Sequence, residues 1–313
     1  LVTEPDLAVN LGGLKLETPI LAASGPLGDS HQYRERFSTS ALGAIIVKGI
    51  SAEPWPGNPP PRLAETASGV LNAIGLQNPG LKHFLEQDLP RLRNAGPRVI
   101  VNIVGRTVEE YALVAAGLNG QEGVDGLEIN ISCPNIKAGG LAFGADPDQA
   151  YQVVSAVRRQ TTLPLLVKLS PNVTDITVIA RAAEAAGADA LSLINTLSGM
   201  LIDIEKRRPL LGNTFGGLSG RAILPVALKM VWQTAGAVKI PLLGMGGISS
   251  ARDALQFFMA GARAVAVGTA LFYNPELPEQ IYRDLIDYMI EHDIAALKNI
   301  EGIAQKGVDH NDQ

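Results

Sequence analysis

Apolar residues along this chain fall into two alternating patterns. Short, almost continuous apolar runs occupy 19–23, 44–48, 98–104, 126–131, 165–169, 190–195, 240–244 and 264–268. Runs of that length predict strands buried on both faces, as in a parallel sheet. Between most of them lie stretches of helical period at 81–93, 108–118, 149–160, 176–186, 222–234 and 251–259. Two of these open on capping pairs, Thr107 with Glu110 and Ser250 with Asp253. Gly187, Gly236 and Gly261 stand where helices should stop. Eight buried strands interleaved with helices predict a (β/α)8 TIM barrel. A doubly wound open sheet is the alternative. The Gly-rich turn that such a sheet usually carries after its first strand is missing in its dinucleotide-binding form.

Two further features fit a barrel. The stretch 7–16 reads as a hairpin turning at Gly12-Gly13, placed to plug the lower end. The connections 49–98 and 195–220 are long, and the first holds the Pro-rich run 53–61. In a barrel both lie at the C-terminal ends of the strands, where active sites are built. No linker or repeat interrupts 1–313, so one domain is expected.

Composition narrows the class. Hydrophobic residues at 46% against 18% charged give ample core, and 33 glycines with 5% aromatics favour many tight βα turns. A net charge of −5 argues against a broad nucleic-acid footprint. The single cysteine, Cys133, excludes an intrachain disulfide and a four-cysteine iron–sulfur cluster within this chain. No charge-free apolar run reaches the length of a membrane span and no signal-peptide core opens the chain, so a soluble cytoplasmic protein is expected.

The chemistry sits at strand ends. Ser24, Lys48, Asn102, Asn130, Lys168 and Asn195 follow otherwise apolar runs. Parallel barrel strands gather them at one mouth. Two cations, several amides and the nearby Cys133 suit planar, hydrogen-bonding, anionic ligands better than a metal. Lys48 also reads as a strand-end lysine reaching for water. Lys168 lies between apolar residues, where an unpaired charge is costly, so it asks for an anionic partner; it is equally a Schiff-base nucleophile of an aldolase. The glycines of 244–248 and the pair Gly268-Thr269 offer backbone N–H groups to a phosphate, or else form two ordinary tight turns. Cys133 by itself reads as a small buried hydrophobe. Pro134 after it and the Gly-rich 137–144 place it in a loop, where a tuned thiol can exchange protons.

The runs 72–80 (Asn-Ala-Ile-Gly-Leu-Gln-Asn-Pro-Gly), 130–135 (Asn-Ile-Ser-Cys-Pro-Asn), 167–171, 216–220 and 244–247 resemble dihydroorotate dehydrogenase, in order and across nearly the whole chain. They are most similar to class 1, and the runs 74–80 and 137–146 point to the catalytic subunit of class 1B over class 1A. The resemblance implies a barrel that binds FMN and oxidises (S)-dihydroorotate to orotate in pyrimidine biosynthesis. Cys133 would take a proton from C5 while C6 delivers hydride to the flavin. Asn72, Asn130, Asn135, Asn195 and Thr196 would hold the substrate. Lys48 would sit between substrate and flavin, and Lys168 by the N1/O2 edge of the ring. Ala23, Ser24, Gly49 and Asn102, with Asn130 beside them, would line the ring. Gly220, Gly246, Gly247, Gly268 and Thr269 would carry the phosphate.

The same resemblance implies a homodimer docking two partner subunits that carry FAD and a [2Fe–2S] cluster and pass electrons to NAD⁺. In class 1A, fumarate would replace the partner. A flavoenzyme acting on other dihydropyrimidines, and a non-catalytic phosphate-ligand binding protein, are further readings. Arg221 and Leu224 depart from the class pattern, where proline and lysine are common.

Overall fold

The computed structural model describes residues 5–27, 39–93, 96–132 and 140–306. All eight apolar runs form strands: β1 (Ile20–Ala22), β2 (Ala44–Ile50), β3 (Arg98–Ile103), β4 (Gly126–Asn130), β5 (Leu165–Lys168), β6 (Ala190–Leu193), β7 (Leu242–Met245) and β8 (Ala264–Val267). They pair in parallel, in chain order, and β8 closes on β1. The open-sheet alternative is excluded.

The helices that return the chain include α1 (Val108–Leu118), α2 (Pro147–Arg158), α3 (Ile176–Ala185), α4 (Leu224–Ala235), α5 (Ala251–Ala260) and α6 (Leu277–Glu291). Thr107 and Ser250 cap α1 and α5 by accepting from the N–H groups of Glu110 and Asp253. The carboxylates reach one residue past the cap: Glu110 accepts from Arg106 N and Asp253 from Ser249 N. The single helix expected over 81–93 is instead broken into Leu81–His83, a π turn at Phe84–Asp88 and Leu89–Leu92. Pro90 has no N–H to donate one turn back, and the backbone widens just before it.

Strand parity sorts the core. Leu127, Ile129, Val101, Ile103, Val167, Leu191 and Val265 pack outward with the helices. The alternate positions, among them Leu21, Ile46, Ile100, Leu166, Leu243 and Ala266, pack inside the barrel. The hairpin Val9–Leu11 and Leu14–Leu16 joins this inner cluster through Leu11, Leu14 and Leu16, all buried. It therefore plugs the lower end. Its turn fits because Gly12 has φ +60° and lies against β6; an added Cβ would come within 2.5 Å of the Asp189 carbonyl. Arg263 also donates to the Asn10 carbonyl at 3.3 Å.

The upper end differs from its sequence reading. The two long connections are not plain loops. Leu63–Thr66, Gly69–Asn72, Gly216–Ser219 and Leu197–Gly199 form one antiparallel sheet. These strands are short, three of the four carry glycine, and the central pairing joins segments on opposite sides of the barrel sequence. Among the described residues, no helix is long and apolar enough to cross a membrane.

Leu11→Ala is expected to remove roughly 2–5 kcal/mol of stability, because a fully buried leucine in the plug leaves a cavity that rigid strands cannot fill. Urea unfolding checks this; an unchanged midpoint would mean that the hairpin does not support the barrel.

Candidate active site

The antiparallel sheet and the strand ends enclose a cavity of about 680 Å³. Ser24, Lys48, Asn102, Asn130, Lys168 and Asn195 all line it. So do Ala23, Gly49, Asn72 and Thr196, and so do Gly220, Gly246, Gly247, Gly268 and Thr269. The expected strand-end constellation is thus one site. Cys133 and Asn135 lie outside the described residues; within 137–146, Gly140–Ala145 forms a short helix.

The floor of this cavity is built by parity. On β4, Glu128 and Asn130 share a face opposite to Leu127 and Ile129. Glu128 is completely buried. Its carboxylate accepts from Asn102 Nδ2 at 2.5 Å and from Ser192 Oγ at 2.7 Å, and Lys168 Nζ stands 3.8 Å away. Lys168 Nζ also donates to Ser24 Oγ at 3.2 Å. The anionic partner that Lys168 demands is therefore within the protein. At this separation and an effective dielectric of about 20, the attraction is on the order of 4 kcal/mol. Removing one member would strand a buried charge, a loss of about 3–5 kcal/mol. A head group tied to both Glu128 and Ser24 is already engaged, which speaks against Lys168 as a free nucleophile for Schiff-base chemistry.

From Glu128 a chain of hydrogen bonds runs upward. A carboxylate only accepts, so it turns the NH₂ of Asn102 toward itself. The Asn102 carbonyl oxygen then accepts from Asn130 Nδ2 at 3.3 Å. Asn130 Oδ1 accepts from the Ser132 hydroxyl at 3.1 Å, whose oxygen accepts from Asn195 Nδ2 at 2.8 Å. Asn195 Oδ1 accepts from Thr196 N at 2.7 Å. Tyr111 on α1 donates to the Asn130 carbonyl at 2.8 Å, which fixes that strand end. On the opposite wall, Asn72 Nδ2 donates to the Gly217 carbonyl at 3.2 Å. Asn172 Nδ2 donates to the Thr196 carbonyl at 3.0 Å and holds the loop after β6.

Lys48 is a cation under tension. Burial lowers its pKa from the ordinary 10.5, and the Arg62 guanidinium lowers it further. A lysine with a depressed folded pKa costs stability when charged. That cost is fully present below the folded value and disappears as pH rises toward 10.5.

The glycine end has a different character. Gly247 has φ +79°, and an added Cβ would stand 2.9 Å from Leu224 N, so the turn after β7 needs glycine to lie against the start of α4. A bare turn of this kind lets an anion approach the backbone. The Thr269 hydroxyl donates to Ser219 Oγ at 2.7 Å, which ties the turn after β8 to the antiparallel sheet. Arg221 lines the same end and carries the only guanidinium among the described lining residues. The N–H of Ser249 already serves Asp253 at 2.9 Å. Donors for an anion are therefore sought at the glycines.

Glu128, Ser132, Ser192 and Asn172 were not singled out by the sequence. Glu128 had a signal: it stands two residues before Asn130, on the same face of a strand otherwise apolar. Ser192 and Asn172 had none. Among the described residues, no group of His, Cys, Asp and Glu could hold a metal ion.

The family model for dihydroorotate dehydrogenase matches residues 6–289. A protein of Citrifermentans bemidjiense named dihydroorotate dehydrogenase B (NAD(+)), catalytic subunit, is 53% identical over 95% of this chain and 98% of its own. Proteins of the same name from Desulforudis audaxviator and Alkaliphilus metalliredigens are 54% and 52% identical. Each alignment covers 96% of this chain, with 97% and 99% of the respective relative.

Arg62→Gln is expected to raise the Lys48 pKa toward its ordinary value by removing the neighbouring positive charge. Lysine-selective NMR titration reads this directly, and a Lys48 resonance titrating as in the parent would discount Arg62.

Proposed function

The chain belongs to the dihydroorotate dehydrogenase family, and from that premise we propose that it oxidises (S)-dihydroorotate to orotate in pyrimidine biosynthesis, using FMN held in the mouth cavity. One observation carries the site assignment: cations, an ordered set of amides and two bare glycine turns line a single cavity above the barrel. The cavity volume lies in the range of cofactor and ligand pockets. The glycine turns, with Arg221 beside them, suit a phosphate, and the amide-lined floor suits a planar heterocycle.

In this reading Gly220, Gly246, Gly247, Gly268 and Thr269 hold the phosphate of FMN, and Ala23, Ser24, Gly49, Asn102 and Asn130 line its ring. When bound, FMN supplies the hydride acceptor. Lys168, a cation of the lining, would stabilise the negative charge that reduction puts on the ring. Asn72, Asn130, Asn135, Asn195 and Thr196 hold the carboxylate and ring amides of dihydroorotate, and Lys48 stands between the two ligands. The fixed orientation of the Asn102–Asn195 chain selects which edge of the substrate finds donors and which finds acceptors. Cys133 Sγ takes the proton from C5 as hydride leaves C6.

The relatives' name supports NAD⁺ as final acceptor and a second subunit. That partner carries FAD and a [2Fe–2S] cluster in our reading, for this chain's one cysteine cannot ligate such a cluster. Two copies of each subunit would form the assembly.

Anaerobic dihydroorotate is expected to bleach the flavin of the purified chain. Cys133→Ala should keep FMN yet slow bleaching by roughly 10²–10⁴-fold, the usual contribution of a positioned base. A variant as fast as the parent would remove Cys133 from that role. Turnover with NAD⁺ should require the partner, and rapid turnover with fumarate without it would overturn the B-type reading.

A further inference from the structure

We propose that Glu128 is a positioning residue that sets the net charge beneath the cofactor, and that its carboxylate tunes how readily the bound flavin is reduced. The inference rests on the placement of FMN proposed above, but Glu128 itself enters from the structure alone.

A completely buried carboxylate inside a parallel barrel is expensive, and leucine at this position would match its neighbours along β4. The protein instead places an anion there and surrounds it with donors from three other strands. Asn102 comes from β3, Lys168 from β5 and Ser192 from β6. Those three contacts have different consequences. Toward Glu128, Ser192 and Asn102 are neutral donors that orient the carboxylate. Lys168 is a cation that lines the cavity, so its charge is felt by whatever occupies the space above. With Glu128 at 3.8 Å, the pair presents a weakened positive field; without it, the same lysine presents a full charge.

The buried pair therefore works as a moderator. Lys168 alone would favour the more negative, reduced form of the cofactor strongly. Glu128 offsets part of that preference and keeps the reduced form able to release its electrons. An electron carrier between a substrate and a second acceptor needs both steps to proceed. Sub-ångström rearrangement is not needed for this effect, because the carboxylate never touches the cofactor and acts through Lys168 and its own field.

The test is the two-electron midpoint potential of the FMN-loaded chain, measured by equilibration with a reference dye and without dihydroorotate. A unit charge on the order of 10 Å away, at an effective dielectric of about 20, shifts an equilibrium between charge states by roughly tenfold. Glu128→Gln is nearly isosteric and removes the charge. It is expected to favour the reduced form by about tenfold, a rise of ~30 mV. Glu128→Leu also removes the charge, using the side-chain type of its neighbours along β4, and should shift the potential in the same direction by a similar amount. It carries the test if the Gln variant does not fold. Ser192→Ala removes a hydrogen bond while leaving every charge in place, and should hold the parent's potential.

A potential unchanged in the Gln or Leu variant would overturn the proposal, as would a shift in Ser192→Ala as large as that of Glu128→Gln. A purely structural role for Glu128 predicts lower thermal stability with no directional change in potential. A parent chain that retains no FMN would instead remove the reading on which the proposal rests. A parent that binds FMN but is not reduced by dihydroorotate would remove only the substrate, and leaves the potentials as a valid test of Glu128.

Discussion

A carboxylate cut off from water has to be answered by the protein around it. Glu128 is answered from three strands at once, through Asn102, Lys168 and Ser192. This requirement orders much of the mouth. It fixes which way Asn102 points, and through Asn102 the orientation of Asn130, Ser132 and Asn195. It also holds the head group of Lys168 beside Ser24 instead of letting it reach for solvent. Neutral hydrogen bonds of this kind contribute about 1 kcal/mol each. Their value here is directional. An acceptor that can never donate removes the ambiguity from every amide downstream.

Barrel closure makes that arrangement possible. Successive strand residues face opposite sides, so one parity of β4 packs against helices while the other fills the axis. Lower in the axis the inward residues are apolar and meet the hairpin leucines. Higher up the same parity brings Asn102, Glu128, Asn130, Lys168 and Ser192. The change from apolar to polar occurs within about two residues along β2, β3, β5 and β6, at Ile46/Lys48, Ile100/Asn102, Leu166/Lys168 and Ala190/Ser192. The fold thereby separates stability at the bottom from chemistry at the top, as barrel enzymes do in general.

Much of this was readable from the chain. The eight apolar runs are continuous enough that buried strands were their natural reading, and the polar residues at six of their ends marked the mouth. The plug at Gly12-Gly13 was also legible, since Leu7, Leu11, Leu14 and Leu16 flank a tight turn. The antiparallel sheet over the mouth was not. Its strands hold three or four residues, several of them glycine, and Gly217 pairs with Asn72 from 145 positions away. Local pattern carries no trace of such a partner. Glu128 was missed for another reason: a single acidic residue in a hydrophobic run looks like an interruption until its parity is compared with that of Asn130. Pattern shows where a side chain points, but not what it meets there.

The leucine hairpin at the lower end has a consequence for traffic. Leu11, Leu14 and Leu16 close the lower end of the barrel among the described residues. Exchange through the upper end would leave a deep occupant in place while a shallower one comes and goes. A tightly held cofactor against the floor and a small metabolite above it satisfy that geometry. Electrons, which need no doorway, can pass through the wall while matter waits its turn at the mouth.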